Sequence, residues 1–331
     1  MLNYAKAIGG YGEIGLPIKN SGVPDNAMLF QSARSALYAF LKCSTAKTIY
    51  LPEYICESLY PALESLNISI KHYQLNQKLL PVEVPDVTKN EYVLLVNYFG
   101  LCGVTIKEYI TQPDISIRHF IVDNSQAFFT PPVDCAANIY SLRKFLALPD
   151  GGLLFTEAKV IEPTEGFNGE DYLSHLLLRN ADNTQKGYEH FLHAEAALDD
   201  YRPKKMSSVS RRLYQSFDIE NIKKKRKENF EFLFDYYQHI NKFNFYLNGN
   251  ESPLCYPLTL SYDVTNLCSA LIKKDIFLPR YWPNLMNSAH DFVSSIYNNT
   301  LFIPIDERID ESKMKLLITE IDKVLLEHKN E

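Results

Sequence analysis

From about residue 30 to residue 157 the apolar positions of the chain alternate between two periods. In SARSALYAFLK (32–42) they recur at helical spacing, and TIYLP (48–52) is a short unbroken apolar run. YICESLYPALESL (54–66) again reads as helical, and ISIKHYQL, YVLLVNYFG (92–100), HFIVDN (119–124), NIYS (138–141) and GGLLFTE (151–157) read as strands. Short buried strands separated by helices predict a mostly parallel sheet in a layered α/β architecture. From 170 to about 240 the pattern is helical; in IENIKKKRKENFEFLFDYYQHI, Ile219, Ile222, Phe230, Leu233, Phe234 and Tyr237 fall near one face. After the turn-rich NGNESP (248–253) a smaller unit begins, with a strand in LCYPLTLSY and helices in TNLCSALIKKD and ESKMKLLITEIDKVLLEH. The expected fold class is α/β: a large domain over 1–245, with a mostly parallel central sheet flanked by helices, and a small C-terminal α+β domain over 246–331.

Composition narrows the function classes. The 331 residues are 46% hydrophobic and 22% charged, with a formal net charge of −6. An acidic chain disfavours a general role in binding nucleic acid, although a few local donors suffice for an anionic small molecule. MLNYAKAIGG lacks the apolar core of a signal peptide, and no apolar run approaches membrane-spanning length, so the expectation is a cytoplasmic protein without a membrane partner. The six cysteines are scattered without a C-x-x-C pair, which suits free thiols in a reducing compartment.

Several patterns imitate chemistry. GYGEIG (10–15) fits the dinucleotide fingerprint by letter, but the fingerprint needs a strand before it and a helix after it; nine residues precede Gly10 and Pro17 follows closely. A glycine-rich entry loop is the better reading. His190 and His193 beside Glu189 lack a third ligand at diagnostic spacing, so no metal site is expected. Ser141 and Lys144 spell S-x-x-K without the S-D-N and K-T-G elements of penicillin-binding enzymes. The run KKKRK (223–227) is expected on a solvated helix face.

Lys144 remains. A lysine that forms a Schiff base needs a desolvated pocket that supplies neutral amine. A pyridoxal phosphate ring needs a carboxylate at its nitrogen, and its phosphate needs backbone amides at a helix start with hydroxyl donors. Asp123 ends the apolar strand HFIVD, at the edge where open α/β sheets bind ligands. Ser32, Ala33, Arg34 and Ser35 open the first long helix, and Ser141 precedes the lysine by three residues.

VDNSQAFF followed by YSLRKFLALPDGGLLFTE resembles the core of the DegT/StrS family of sugar aminotransferases, of the aspartate aminotransferase fold, fold type I. The resemblance covers roughly residues 8 to 325. It implies pyridoxal 5'-phosphate as cofactor, with Lys144 as the catalytic Schiff-base lysine, Asp123 on the pyridinium and Gln126 on the phenolic side of the ring. It also implies that SARSAL stands at the phosphate loop, with Ser32, Ser35 and Ser141 serving the phosphate, while Ala33 and Arg34 stand in place of the family's glycine and threonine and are expected at the cofactor too, Arg34 supplying a charge. LPEYICES resembles the segment that presents a ring-stacking aromatic; counting from Pro52 gives Cys56, and Tyr54 is the nearby aromatic. Asn97 in VNYFG occupies the place of a histidine, and LFIPIDERIDESKMKLLITEI resembles the closing strand and helix. Asn97 and Arg280 are the substrate candidates, with KKMSSVSRR (204–212) near the place of a substrate loop. The implied activity is amino transfer from an amino-acid donor to a keto sugar, nucleotide-linked, in surface-polysaccharide or secondary-metabolite biosynthesis, by a homodimer. A dehydratase on the same scaffold and a non-catalytic binding relative are the alternatives.

Overall fold

The computed structural model describes residues 10–83, 85–112, 116–243, 247, 251–285 and 291–329. Seven strands form the central sheet: β1 (Met28–Phe30), β2 (Thr48–Pro52), β3 (Ser69–Tyr73), β4 (Glu91–Val96), β5 (Phe120–Asn124), β6 (Ala137–Ser141) and β7 (Gly152–Phe155). Their order across the sheet is β1-β7-β6-β5-β4-β2-β3. All run in one direction except β7, which is antiparallel to both of its neighbours. The inner strands are apolar without alternation because both faces are covered: Ile49, Leu51, Val93 to Val96 and Phe120 to Val122 are all buried.

Helix α1 (Ala33–Cys43) is capped by Ser32, whose side chain accepts the Ser35 N–H, and lies across β6 and β7. Helices α2 (Tyr60–Ser65) and α3 (Gly103–Ile110) follow β2 and β4. The helix expected from residue 54 begins only at Tyr60: Pro61 occupies its first turn, and a 3-10 turn over Glu57–Leu59 leads into it. The strand expected to reach Gly100 stops at Val96, and the chain reverses through Phe99 and Gly100, both left-handed, at φ 57 and 76. Four helices then build the helical half: α4 (Ser174–Asn180), α5 (Thr184–Ala197), α6 (Ser208–Ser216) and α7 (Ile219–Tyr237).

On α7 the basic run divides. Lys224, Lys225 and Lys227 reach Glu228 and Glu231 on the outer face, whereas Arg226 is turned inward and buried, which corrects the reading of the whole run as solvated. The C-terminal segment pairs β8 (Cys255–Thr259) with β9 (Thr300–Pro304) antiparallel, with α8 (Thr265–Ile272), α9 (Asp291–Asn299) and α10 (Glu311–Lys329). Most of the stretch expected as a domain boundary, 244–246 and 248–250, lies outside the described residues. Rings bridge the two halves, with Phe99 5.0 Å from Phe302 and Tyr54 4.5 Å from Trp282 between centroids. No helix among the described residues is long and apolar enough to cross a membrane.

Candidate active site

The C-terminal ends of β4, β5 and β6 lie side by side, since Val96 pairs with Asp123 and Asn124 with Tyr140. What the chain places beyond that edge follows from the loop between β6 and β7. The Leu142 N–H donates to the Gly151 carbonyl at 3.0 Å and closes the loop at its base. Leu142, Phe145, Leu146 and Leu148 sink into a second core cluster with Met206, Tyr214 and Ile222. Four apolar anchors in so short a loop fix its path and leave Lys144 as an exposed side chain.

Lys144 is solvent-exposed, yet protein crowds around its amine. The surrounding protein pushes its pKa below the usual lysine value, and the neighbouring acidic groups Asp123 and Cys56 pull it partly back. Arg143, beside it, is paired with Glu195 of α5. Asp123 is buried at the end of β5, with Oδ1 accepting the Ser125 N–H at 2.8 Å. Gln126 is enclosed: Oε1 accepts the Phe99 N–H at 2.9 Å, which fixes the orientation of its amide. Its Nε2 is buried with no hydrogen-bond partner. A buried amide that lacks an acceptor costs about 1–3 kcal/mol, a cost that an acceptor on a ligand removes.

At the phosphate side, Ser32 stands at the start of α1, where a Cβ on Gly152 would lie 2.3 Å from the Ser32 carbonyl carbon. Ser141 is the last residue of β6, opposite Gly152. Ala33 is half-buried in the first turn of α1. Two expectations change here. Ser35 is fully enclosed, its Oγ 3.0 Å from Ser32 Oγ, so it supports the cap and offers no surface to a ligand. Arg34 is committed elsewhere, to Asp199 at 3.1 Å and the Leu198 carbonyl at 3.2 Å.

Two further positions are corrected. Tyr54 is 0% exposed between Tyr98 and Trp282, so neither ring face is free to stack on a cofactor. Cys56, half-buried and an electrostatic neighbour of Lys144, holds the position that counting from Pro52 indicates. Asn97 is likewise 0% exposed, and its amide is used within the fold, donating to Asn124 and Thr130 and accepting the Cys102 N–H. It shapes the β4 turn and has no surface for substrate. Arg280 lies in the C-terminal half, 4.2 Å above the Tyr297 ring with donors to Thr265 and Cys268.

Sequence reasoning missed the anchor of the lysine loop. Asp150, fully buried, accepts hydrogen bonds from the Ser207 N–H at 2.8 Å and from the Ser207 and Ser210 hydroxyls at the start of α6. Its signal was the serine pattern SSVS (207–210), which marks a helix cap but not the carboxylate that meets it. The KKMSSVSRR segment therefore secures the loop that carries Lys144. The Arg143–Glu195 pair had no sequence signal, since its partners come from separate elements.

No protein-family profile matches the chain, and no curated protein does. Solved structures do match in shape. NtdA from Bacillus subtilis, solved with bound cofactor PMP, has a TM-score of 0.64 at 9% identity over 90% of this chain and 73% of that one. A DegT DnrJ EryC1 StrS aminotransferase from Brucella abortus has a TM-score of 0.58 at 13% identity, over 90% of this chain and 85% of that one. The sugar aminotransferase Spr1654 from Streptococcus pneumoniae, described as putative and solved in its PLP form, gives 0.56 at 11% identity, over 90% and 87%. With its strand order, its single reversed strand and its lysine loop between β6 and β7, the chain has the fold of these aminotransferases, fold type I.

Proposed function

We propose that this protein is a pyridoxal-phosphate-dependent aminotransferase that moves an amino group from an amino-acid donor to a keto sugar, nucleotide-linked, in surface-polysaccharide or secondary-metabolite biosynthesis. The observation that carries the reading is Lys144, presented on a locked loop with a lowered pKa and under the charge of Asp123 at the sheet edge. The residues present fit the cofactor. Gln126 Nε2 is a buried donor without an acceptor, Asp123 would supply a carboxylate for a protonated ring nitrogen, and Ser32, Ser141 and the amides opening α1 would hold the phosphate. Pyridoxal phosphate, when bound, supplies the electron sink that stabilises a carbanion at the substrate carbon.

The chain's own groups do the rest. A lowered pKa raises the neutral fraction of Lys144 Nζ, the form that would hold the cofactor's aldehyde and, once released from it, accept a proton. Lys144 takes the proton from the donor's carbon and returns it on the other side of the transfer. Cys56 offers a small, polarisable wall beside the lysine, in place of an aromatic ring. Two copies of the chain form the active unit in this reading, in the cytoplasm, where its six free thiols stay reduced.

The test is covalent trapping. Protein loaded with pyridoxal phosphate and reduced with borohydride is expected to carry the label on Lys144 when its peptides are mapped. A label on another lysine, or none, overturns the assignment.

A further inference from the structure

Arg226 belongs to a run of five basic residues, yet its side chain is only 4% exposed. Its guanidinium touches three parts of the chain. The carbon centre lies 4.9 Å above the ring of Phe145, the residue after Lys144. One amino group donates to the Leu254 carbonyl at 3.2 Å, with the Pro253 carbonyl at 3.5 Å. Nε lies 3.8 Å from Glu307 Oε2, just after β9, and neither of those two buried atoms has a hydrogen bond. Residues 252–254 are themselves clamped: Ser252 Oγ donates to the Lys223 carbonyl, and the Leu254 N–H donates to the Phe99 carbonyl at 2.8 Å.

Removing a guanidinium from water costs several kcal/mol, and contacts as long as these repay it incompletely. A methionine or leucine would fill the same space without that cost. A cation kept there, over the residue next to Lys144 and against the end of the C-terminal β-pair where β8 begins and β9 stops, is placed to hold them in register. We infer that Arg226 is a positioning residue for Lys144: it ties the lysine loop, through Phe145, to the segments that enter β8 and leave β9. The inference rests on the reading of Lys144 as the reactive amine.

The groups that set the ionisation of Lys144 are Asp123 on β5, Cys56 after β2, Glu195 on α5 and the neighbouring Arg143. None of them touches Arg226, so Arg226 acts on the lysine through the packing of its loop. Loosening the loop draws the amine away from the protein packed around it and lets its pKa rise toward the ordinary lysine value.

The experiment follows acetylation of Lys144 against pH in the cofactor-free protein, read by peptide mass mapping, so it needs neither cofactor nor activity. Arg226→Met is expected to raise the labelling midpoint by about half a pH unit or more. Arg226→Lys, which keeps the charge but cannot span the three contacts, is expected to shift it less in the same direction. Phe230→Leu, a core lesion on the same helix away from Phe145, is expected to lower the melting temperature and leave the midpoint in place. A midpoint that stays fixed in Arg226→Met while the protein melts earlier reduces Arg226 to packing and overturns the inference. Should Arg226→Met not fold, Arg226→Lys decides by the same criterion. Borohydride trapping that fails at Lys144 removes the aminotransferase reading alone, because the labelling midpoint is measured without cofactor.

Discussion

At Cys56 the Sγ atom stands 3.0 Å from Ser58 Oγ, on a turn whose neighbours Tyr54 and Ile55 are buried in the core. Of the six thiols, Cys43 is exposed and Cys56 half-buried, while Cys102, Cys135, Cys255 and Cys268 are buried. Burial pushes the Cys102 thiol up to about 12 and the Cys135 thiol up to about 11, and raises that of Cys255 as well. The reactive species is the thiolate, so at pH 8 those groups are neutral as well as inaccessible. Iodoacetamide on the native protein is therefore expected to modify Cys43 and Cys56, and the other four only after unfolding. Pyridoxal phosphate is expected to protect Cys56 and leave Cys43 reactive, because only Cys56 shares the surroundings of Lys144. Equal protection of both, or of neither, in mass-mapped peptides would separate Cys56 from the cofactor site.

The close approach of β7 to the start of α1 is the tightest demand between elements. A Cβ on Gly152 would meet the Ser32 carbonyl carbon and oxygen at 2.3 Å and the Ala33 nitrogen at 2.6 Å, all backbone atoms that cannot rotate away. Gly152→Ala is expected to cost about 3 kcal/mol in urea unfolding and to weaken cofactor binding, because relief comes only by moving the helix start. Gly166→Ala, where nothing lies within 4 Å, is the control and is expected within about 0.5 kcal/mol of the native protein. Equal stability of the two variants would refute the close-approach argument. The Gly-Gly pair was legible in sequence, as were the buried strands and the lysine between Asp123 and the turn, because each is a local pattern of apolar period or turn residue. Arg226, Asp150 and the enclosure of Tyr54 and Asn97 were not. Their roles depend on which distant element packs over them: Phe145 and Glu307 for the arginine, the start of α6 for the aspartate, Trp282 for the tyrosine. Helical period placed Arg226 in a basic run; only tertiary packing shows that it faces inward.

For the whole molecule, the distribution of uncovered apolar surface bears on association. Residues 10–15 run as an arm whose three glycines have no heavy atom within 4 Å of a built Cβ. On this arm Tyr11 is 100% and Ile14 75% exposed. Its first anchor is at Leu16, whose carbonyl accepts a hydrogen bond from Arg212. A second uncovered surface lies on α4 and α5, where Tyr188 and Phe191 line a groove of about 740 Å³ that also reaches Ile272 and Phe277. Scattered exposed apolar side chains are ordinary on a monomer, but a projecting arm and a continuous apolar groove together are not. A two-fold pair would bury the same patches on both copies, with a standard interface removing about 1,600 Å² from solvent. Sedimentation equilibrium is expected to show a dimer at assay concentration. Exposed arm residues that are truly free contribute nothing to that equilibrium, whereas residues seated on a partner do. The double variant Tyr11→Ala with Ile14→Ser is thus expected to weaken dimerisation by about tenfold or more, as loss of buried aromatic and aliphatic anchors does, while leaving the monomer's melting transition unchanged. A native protein that sediments as a fully active monomer overturns the pairing. A dimer indifferent to the arm variant keeps the pairing and assigns its interface to other surfaces, with α4 and α5 next to be tested through Tyr188→Ala.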